Sequence, residues 1–320
     1  MKAKVLIPQD ITQAGKDYLK DKGYQVKVLE DASVETLKKE VADADAVLFR
    51  TAKYPREVLE AGKNVKVYAR YGAGVDNLDV AAATELGIWV CNAPVANSNS
   101  VAEHTIALIM ACANNLIVQD RQARQGNYNS RNEMPSNELR GKTLGLVGCG
   151  HIGQLVAQKA YLGLGMKVKG YDEYIAPEKL PDYIEKTDDL EEIFSTCDYV
   201  SLHIPATPQT RNLVDRKLLA KMKKTGVLIN CARGGIVNEK DLYEALAANR
   251  IKAAGLDVFE NEPDILGNPL FDLDRVIVSP HNAALTYEAM DQMGIDAAKG
   301  IDEVLSGQVP KWAVNKPVLK

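Results

Sequence analysis

Residues 143–153 read TLGLVGCGHIG, a strand-like apolar run that leads into Gly148, Gly150 and Gly153 before a helical run. A GxGxxG pattern between a strand and a helix is typical of a dinucleotide-binding turn. The first glycine allows the tight turn, the second lets the backbone approach a pyrophosphate, and the third lets helix and strand pack closely. N–H groups at the start of the helix, at His151 and Ile152, would then point at the diphosphate. This stretch predicts a Rossmann-type α/β domain.

An acidic residue ends the next strand-like run, KVKGYD, at Asp172. A carboxylate at that position can accept both hydroxyls of an adenosine ribose, and it would repel a 2′-phosphate. Glu173 follows where an NADP enzyme would favour an arginine. The alternative interpretation is that Asp172 caps the next turn. The pattern favours NAD over NADP as the cofactor.

Strand-like and helix-like segments alternate along the chain in two series. The first series has strands at Lys4–Pro8, Gln25–Glu30, Ala46–Arg50, Val65–Arg70 and Ile88–Ala93. The second has strands at Thr143–Gly148, Lys167–Asp172, Tyr199–Ile204, Gly226–Ala232, Lys252–Val258 and Arg275–Pro280. Near-continuous apolar strands between helices indicate buried parallel sheets.

We therefore predict an α/β protein with two doubly wound parallel-sheet domains. A six-stranded Rossmann NAD domain would occupy residues 99–284. A flavodoxin-like substrate (catalytic) domain would be discontinuous, with residues 1–98 and 285–320. The last helix, at about Thr286–Ser306, would return to this substrate domain.

Charge and composition exclude several function classes. Lys plus Arg total 39 and Asp plus Glu total 43, which gives a formal charge of −4 and no broad basic surface for nucleic acid. The longest apolar stretch, Val101–Val118, contains Glu103 and His104, so we expect no membrane span.

Five cysteines without a CxxC pair argue against a disulfide framework and a metal site. They predict buried thiols in a reducing cytoplasm.

Three polar residues follow strand-like runs of the second series: Arg233 in CARGG, Glu262 in FENEP and His281 after SP. The carboxyl ends of parallel strands meet at one edge of a sheet, where ligands bind. A carboxylate at Glu262 would favour the imidazolium form of His281, which could then donate a proton. Arg233 offers a planar fork to a substrate carboxylate and carbonyl oxygen. These residue types suit hydride transfer at C2 of a small 2-oxo or 2-hydroxy carboxylate.

Over nearly its whole length the chain resembles the D-2-hydroxyacid dehydrogenase family, on motifs that are highly specific together. The matching segments are RYGAGVDNLD (70–79), NSVAEHTIAL (99–108), LRGKTLGLVGCGHIG (139–153), INCARGGIVNE (229–239), GLDVFENEP (255–263) and SPHNA (279–283). The resemblance implies an NAD-dependent oxidoreductase acting on the CH–OH group, cytoplasmic and homodimeric.

The resemblance also implies residue roles. Arg233 would bind substrate, His281 would be the acid/base and Glu262 its partner. The cofactor would contact Gly148, Gly150, His151, Ile152, Gly153, Asp172, Ile204, Pro205, Cys231, Ala232 and Asp257. Asp257 would meet the nicotinamide carboxamide. The substrate carboxylate would lie against backbone N–H groups of Tyr71, Gly72, Ala73 and Gly74.

Within the family, the chain looks most like short D-3-phosphoglycerate dehydrogenases. Arg50 and Arg70 match arginines that hold the substrate phosphate there. Tyr71 stands where those enzymes usually carry a small residue, and its side chain would narrow the substrate site or change its polarity. A general glyoxylate, hydroxypyruvate or 2-oxoacid reductase stays open as an alternative. A third interpretation, from another class, is an NAD-sensing protein like the corepressors that share this fold.

Overall fold

The computed structural model describes residues 2–317, so residue 1 and residues 318–320 of the predicted substrate domain lie outside it. The chain forms two compact units, Met1–Ser98 with Ala284–Lys320, and Asn99–Ala283. The second boundary falls one residue before the position expected from the sequence.

The first unit contains a five-stranded parallel sheet in the order β2-β1-β3-β4-β5. Its strands are β1 (Lys4–Ile7), β2 (Gln25–Val28), β3 (Ala46–Phe49), β4 (Val67–Arg70) and β5 (Trp89–Cys91). Its helices are α1 (Gln13–Asp21), α2 (Val34–Glu40), α3 (Arg56–Ala61), α4 (Val80–Glu85) and, from the far end of the chain, α12 (Tyr287–Leu305). This is the strand order of flavodoxin-like folds.

Alternate residues of these strands enter two different cores, because side chains of a strand point to opposite faces. Val5 and Ile7 pack with Met293 and Ile301 of α12, whereas Leu6 packs with residues of α2 and α3 on the other face. Apolar residues are therefore needed at nearly every position of the inner strands β1, β3 and β4, which explains why these three read as apolar runs, whereas the edge strand β2 (QVKV) is mostly exposed.

The second unit contains a seven-stranded parallel sheet. Its strands are β6 (Thr143–Val147), β7 (Lys167–Tyr171), β8 (Ile184–Thr187), β9 (Tyr199–Leu202), β10 (Val227–Asn230), β11 (Ala253–Leu256) and β12 (Val276–Val278). Its helices are α5 (Ser98–Ala113), α6 (Leu116–Arg124), α7 (Ser130–Glu133), α8 (His151–Gln158), α9 (Leu190–Thr196), α10 (Arg216–Lys221) and α11 (Glu239–Ala247). The strand order is β12-β11-β10-β9-β6-β7-β8.

This order is the doubly wound Rossmann arrangement with one strand added beyond the sixth. The sequence predicted six strands, and that number was wrong because β8 was missed. β8 is an edge strand in which Ile184 is buried while Glu185, Lys186 and Thr187 keep solvent exposure. The two-domain α/β fold class itself is confirmed.

Helix α5 is apolar because it is partly a core helix, with Ala102, Ile109 and Ala113 fully buried. Within residues 2–317 no single helix is long and apolar enough to cross a membrane. Only α5 and α6 taken together, bent by 58° at their junction, reach the necessary length and composition.

Candidate active site

The glycine loop lies between β6 and α8, at the carboxyl edge of the second sheet. A Cβ atom on Gly148, whose φ is +96°, would lie 2.4 Å from the His203 carbonyl oxygen. One on Gly153 would lie 2.3 Å from the Gly148 carbonyl oxygen, so the loop and the first turn of α8 are in close contact. A Cβ on Gly150, in contrast, would meet no protein atom within 4 Å. The space beside Gly150 is thus open on the side from which a diphosphate would approach.

Asp172 follows β7 and is bound to this loop. Its Oδ2 accepts the Cys149 N–H at 2.8 Å, and its Oδ1 accepts the N–H groups of Tyr174 and Ile175 at 2.9 and 3.0 Å. The carboxylate therefore caps the following turn, as the alternative interpretation held. One lone-pair position on Oδ2 stays available for a ribose hydroxyl. The two interpretations are compatible, and the residues present fit a dinucleotide.

The remaining predicted cofactor residues lie after neighbouring strands of the same sheet. Ile204 and Pro205 follow β9, and Cys231 and Ala232 follow β10. Cys231 is buried, and burial raises its pKa to about 12, so it is a neutral thiol at physiological pH. His151 and Ile152 are the first two residues of α8.

His281 lies just beyond β12, with its Nδ1 atom 2.6 Å from Glu262 Oε2. The histidine side chain is 48% exposed and the glutamate 29%. Burial alone would raise the pKa of Glu262, but hydrogen bonds from His281 and from the Phe259 N–H outweigh it, so that pKa is lowered. The positive charge of Arg233 acts in the same direction. Glu262 is therefore an anion near neutral pH, and its carboxylate faces the Nδ1 atom of His281.

Arg233 is carried by the loop after β10, and Gly234 sets how closely this loop approaches the loop that carries Glu262. A Cβ on Gly234 would lie 1.8 Å from the Phe259 carbonyl oxygen, so a side chain cannot be accommodated there. Arg233 Nη1 donates to the Ala232 carbonyl at 2.7 Å. The structure therefore brings together the three residues that the sequence singled out, Arg233, Glu262 and His281.

Asp257 directly follows β11 and is 1% exposed. Its Oδ1 accepts hydrogen bonds from Ser279 Oγ at 2.6 Å and from the Asn282 N–H at 2.9 Å. Its Oδ2 accepts the Ala283 N–H at 3.0 Å. The carboxylate predicted to meet the nicotinamide also binds the loop around His281. The sequence did not assign a role to Ser279.

In the first unit, the loop Tyr71–Gly74 follows β4, and the side chain of Arg70, the last residue of β4, hydrogen-bonds to the end of this loop. The Arg70 Nε donates to the Gly74 carbonyl at 2.6 Å, and its Nη1 donates to the Arg50 carbonyl. The guanidinium also lies 5.7 Å from the centre of the Phe49 ring. Arg70 thus holds the backbone of the loop predicted to contact a carboxylate.

Arg50 lies beside Tyr71. Its Nη1 donates to the Asp10 carbonyl at 2.7 Å, and its guanidinium carbon lies 5.5 Å from the centre of the Tyr71 ring. Tyr71 is only 5% exposed, and burial raises the pKa of its hydroxyl. A buried aromatic ring therefore covers one side of Arg50, and Asp10 is a contact that the sequence did not indicate.

Comparison with known proteins identifies the family. Residues 106–283 match the family model described as D-isomer specific 2-hydroxyacid dehydrogenase, NAD binding domain. The chain belongs to this family. The match confirms the resemblance read from the motifs, and it confirms NAD as the cofactor of the Rossmann domain.

Relatives of this 2-hydroxyacid dehydrogenase family member differ in their described activities. The chain is 42% identical over 316 residues to a D-3-phosphoglycerate dehydrogenase of Methanocaldococcus jannaschii, covering 98% of this chain and 60% of the relative. It is 41% identical over 271 residues to a hydroxypyruvate reductase of Thermotoga maritima, covering 83% and 87%. The TT0316 protein of Thermus thermophilus has a similar structure, with a TM-score of 0.89, 34% identity and coverage of 98% and 100%. The chain thus spans about three fifths of the first relative.

Proposed function

We propose that this protein reversibly reduces a small 2-oxo carboxylate to the D-2-hydroxy acid, with NADH supplying the hydride. The observation that carries the proposal is the 2.6 Å pair of His281 and Glu262. This pair lies at the carboxyl edge of the sheet that also carries the glycine loop. An anionic glutamate behind an imidazole is the arrangement that general acid–base catalysis requires.

In this proposal His281 is the proton donor. Because its Nδ1 atom faces Glu262, the Nε2 atom is the one that can donate to the oxygen of the reduced carbonyl. In the reverse direction the same atom accepts the proton of the substrate hydroxyl. Arg233 would hold the substrate carboxylate and polarise its carbonyl, as a fixed cation beside the reacting carbon.

Cofactor choice follows from Asp172, which we propose accepts a ribose hydroxyl at its remaining lone-pair position. The N–H groups of His151 and Ile152 at the start of α8 would bind the diphosphate. Ile204, Pro205, Cys231, Ala232 and Asp257 would line the nicotinamide half of the site. We expect the protein to prefer NADH to NADPH by at least about tenfold.

Two substrates are supported by different observations. The similarity to a D-3-phosphoglycerate dehydrogenase, together with Arg50 beside the Tyr71–Gly74 loop, supports a phosphorylated three-carbon acid. The engagement of Arg70 with two backbone carbonyls, and the Tyr71 ring beside Arg50, favour an unphosphorylated 2-oxo acid instead. The similarity to a hydroxypyruvate reductase supports the same alternative.

One experiment tests both proposals. NADH oxidation is followed with 3-phosphohydroxypyruvate, hydroxypyruvate, glyoxylate and pyruvate, and kcat/KM is compared. The phosphorylated acid should give the highest value if Arg50 binds a distal anion. A preference for hydroxypyruvate or glyoxylate would assign the general reductase activity, and absence of turnover with all four acids would contradict the dehydrogenase proposal.

We further propose a cytoplasmic homodimer. The consecutive helices α5 and α6 carry three exposed large apolar side chains, Met110 (43%), Leu116 (55%) and Ile117 (52%), and this grouping supports a contact between copies. Five buried free thiols fit a reducing compartment. Light scattering of the parent and of Ile117→Lys would test the dimer, since a charge placed in the contact should favour the monomer.

A further inference from the structure

The loop that carries His281 has an unusual backbone. His281 has a φ of +50°, in the left-handed region that residues other than glycine rarely adopt. A residue keeps such a conformation only when surrounding contacts impose it. The imidazole bond to Glu262 fixes the side chain, so separate contacts must fix the backbone of this loop.

Asp257 supplies most of those contacts. Its carbonyl oxygen accepts the His281 N–H at 2.8 Å. Its carboxylate accepts the next two N–H groups, those of Asn282 and Ala283, at 2.9 and 3.0 Å. Three successive backbone donors thus bind one buried residue, and the position of His281 depends on the position of Asp257.

Asp257 is in turn bound by a chain of two side chains. Ser279 Oγ donates to Asp257 Oδ1 at 2.6 Å, and His104 Nε2 lies 2.8 Å from Ser279 Oγ. Because the serine proton is directed to the carboxylate, the imidazole must donate its Nε2 proton to the serine oxygen. His104 also lies close to the carboxylate, with 3.7 Å between Nε2 and Oδ1.

We propose that Ser279 and His104 are positioning residues for the proton donor. They connect helix α5 through Asp257 to the backbone of residues 281–283 and hold that backbone in its strained conformation. Neither residue needs to touch the substrate. The inference rests on the proposed role of His281, and it adds that the geometry of His281 depends on a hydroxyl two residues earlier and on an imidazole in a distant helix.

The variants are Ser279→Ala, which removes the hydroxyl, and Ser279→Thr, which keeps it. Ser130→Ala is the matched control, because the Ser130 Oγ likewise donates to a side-chain oxygen, Gln119 Oε1 at 2.9 Å, but lies outside the His281 loop. We expect Ser279→Ala to lower kcat about 10- to 100-fold, since a misplacement of roughly 1 Å has such an effect. The KM for the oxo acid and the Kd for NADH should change less than about threefold. Ser279→Thr should restore kcat to within about threefold of the parent.

A readout independent of activity distinguishes this inference from the proposed function. Backbone amide exchange at residues 281–283 should become faster in Ser279→Ala and stay parent-like in Ser130→Ala. If exchange is faster in Ser279→Ala but the parent turns over none of the oxo acids, the proposed function is contradicted and the inference is not. If Ser279→Ala leaves exchange unchanged and kcat within a factor of two of the parent, while His281→Ala inactivates the enzyme, the inference is overturned and the proposed function is not.

Two further outcomes are decisive. If Ser279→Thr is no better than Ser279→Ala, the hydroxyl is not the positioning group and the inference is wrong. If Ser279→Ala does not fold, the test moves to His104→Gln and His104→Phe. The glutamine variant keeps a donor and should retain kcat better than the phenylalanine variant by about threefold or more, and equal values would overturn the role of His104.

Discussion

Replacing Gly234 by alanine tests whether Arg233 and Glu262 act as one unit. The new Cβ would lie 1.8 Å from the Phe259 carbonyl oxygen, whereas real Cβ atoms essentially never approach another atom more closely than 3.0 Å. The two strand-end loops must therefore separate by about 1.2 Å, the difference between those distances. A misplacement of about 1 Å lowers catalysis roughly 100-fold. We expect kcat/KM for the preferred oxo acid to fall by at least that factor in Gly234→Ala.

The same substitution should also destabilise the second unit. Inserting a methyl group into a filled space costs about 1–3 kcal/mol. For a domain of roughly 150–250 residues, each kcal/mol corresponds to about 2–4 °C in Tm. Differential scanning calorimetry should therefore show a Tm lower by about 4–8 °C for a loss near 2 kcal/mol.

Gly235→Ala is the matched control, one residue further along the same loop. A Cβ on Gly235 would meet nothing within 4 Å, although its φ of +76° is unfavourable for alanine. That strain costs about 1 kcal/mol, or about 2–4 °C, without forcing the loops apart. We expect kcat/KM within about threefold of the parent. Parent-like turnover in Gly234→Ala would refute the reasoning, and equal losses in both variants would assign the effect to backbone strain rather than to contact with Phe259.

Further predictions concern single groups of the site. His281→Ala should lower kcat by about 10²–10⁴ with NADH binding unchanged, and Glu262→Gln should move the pH optimum of oxo-acid reduction to lower pH, because the imidazolium loses its anionic partner. Asp172→Ala should reduce the preference for NADH over NADPH, mainly through weaker NADH binding, as measured by fluorescence titration of both cofactors. Arg50→Ala should raise KM about 10- to 100-fold for 3-phosphohydroxypyruvate but not for hydroxypyruvate, and an equal rise for both would exclude a distal-anion role. Burial lowers the pKa of His203 to about 4. Between about pH 6.5 and pH 4 the unfolded chain therefore binds more protons than the folded one, and the free energy of unfolding should fall as the pH drops. The Tm of His203→Asn should depend less on pH over that interval.

Much of the fold could be predicted because it rests on local patterns. Strands buried on both faces must be apolar at every position, and the glycine loop has a spacing that few other structures require. β8 escaped prediction for the opposite reason. It lies at the sheet edge, where residues such as Glu185 and Lys186 are tolerated, and its sequence resembles a loop.

For the candidate site, the sequence predicted which residues follow the strand ends, but not the contacts that these residues make. Arg233, Glu262 and His281 each follow a strand of one parallel sheet, so their meeting at one edge follows from topology. The contacts of His104 with Ser279 could not be foreseen, because 175 residues separate them and a histidine in an apolar helix is more often structural. The engagement of Arg70 with two carbonyls depends on the conformation of the loop, which one sequence does not specify.

The discontinuity of the first unit has a consequence for how the chain is made. Helix α12 contributes Met293, Ala297 and Ile301 to the same core as Val5 and Ile7, from the opposite end of the sequence. During synthesis the second unit is complete once residue 283 has left the ribosome, while the first still lacks α12, which packs with α1 on one side of its sheet. The first unit therefore finishes folding after the second. Until then part of the apolar face of β1, β3 and β4 is uncovered, so nascent chains that end before residue 287 should be prone to aggregate or to need a chaperone.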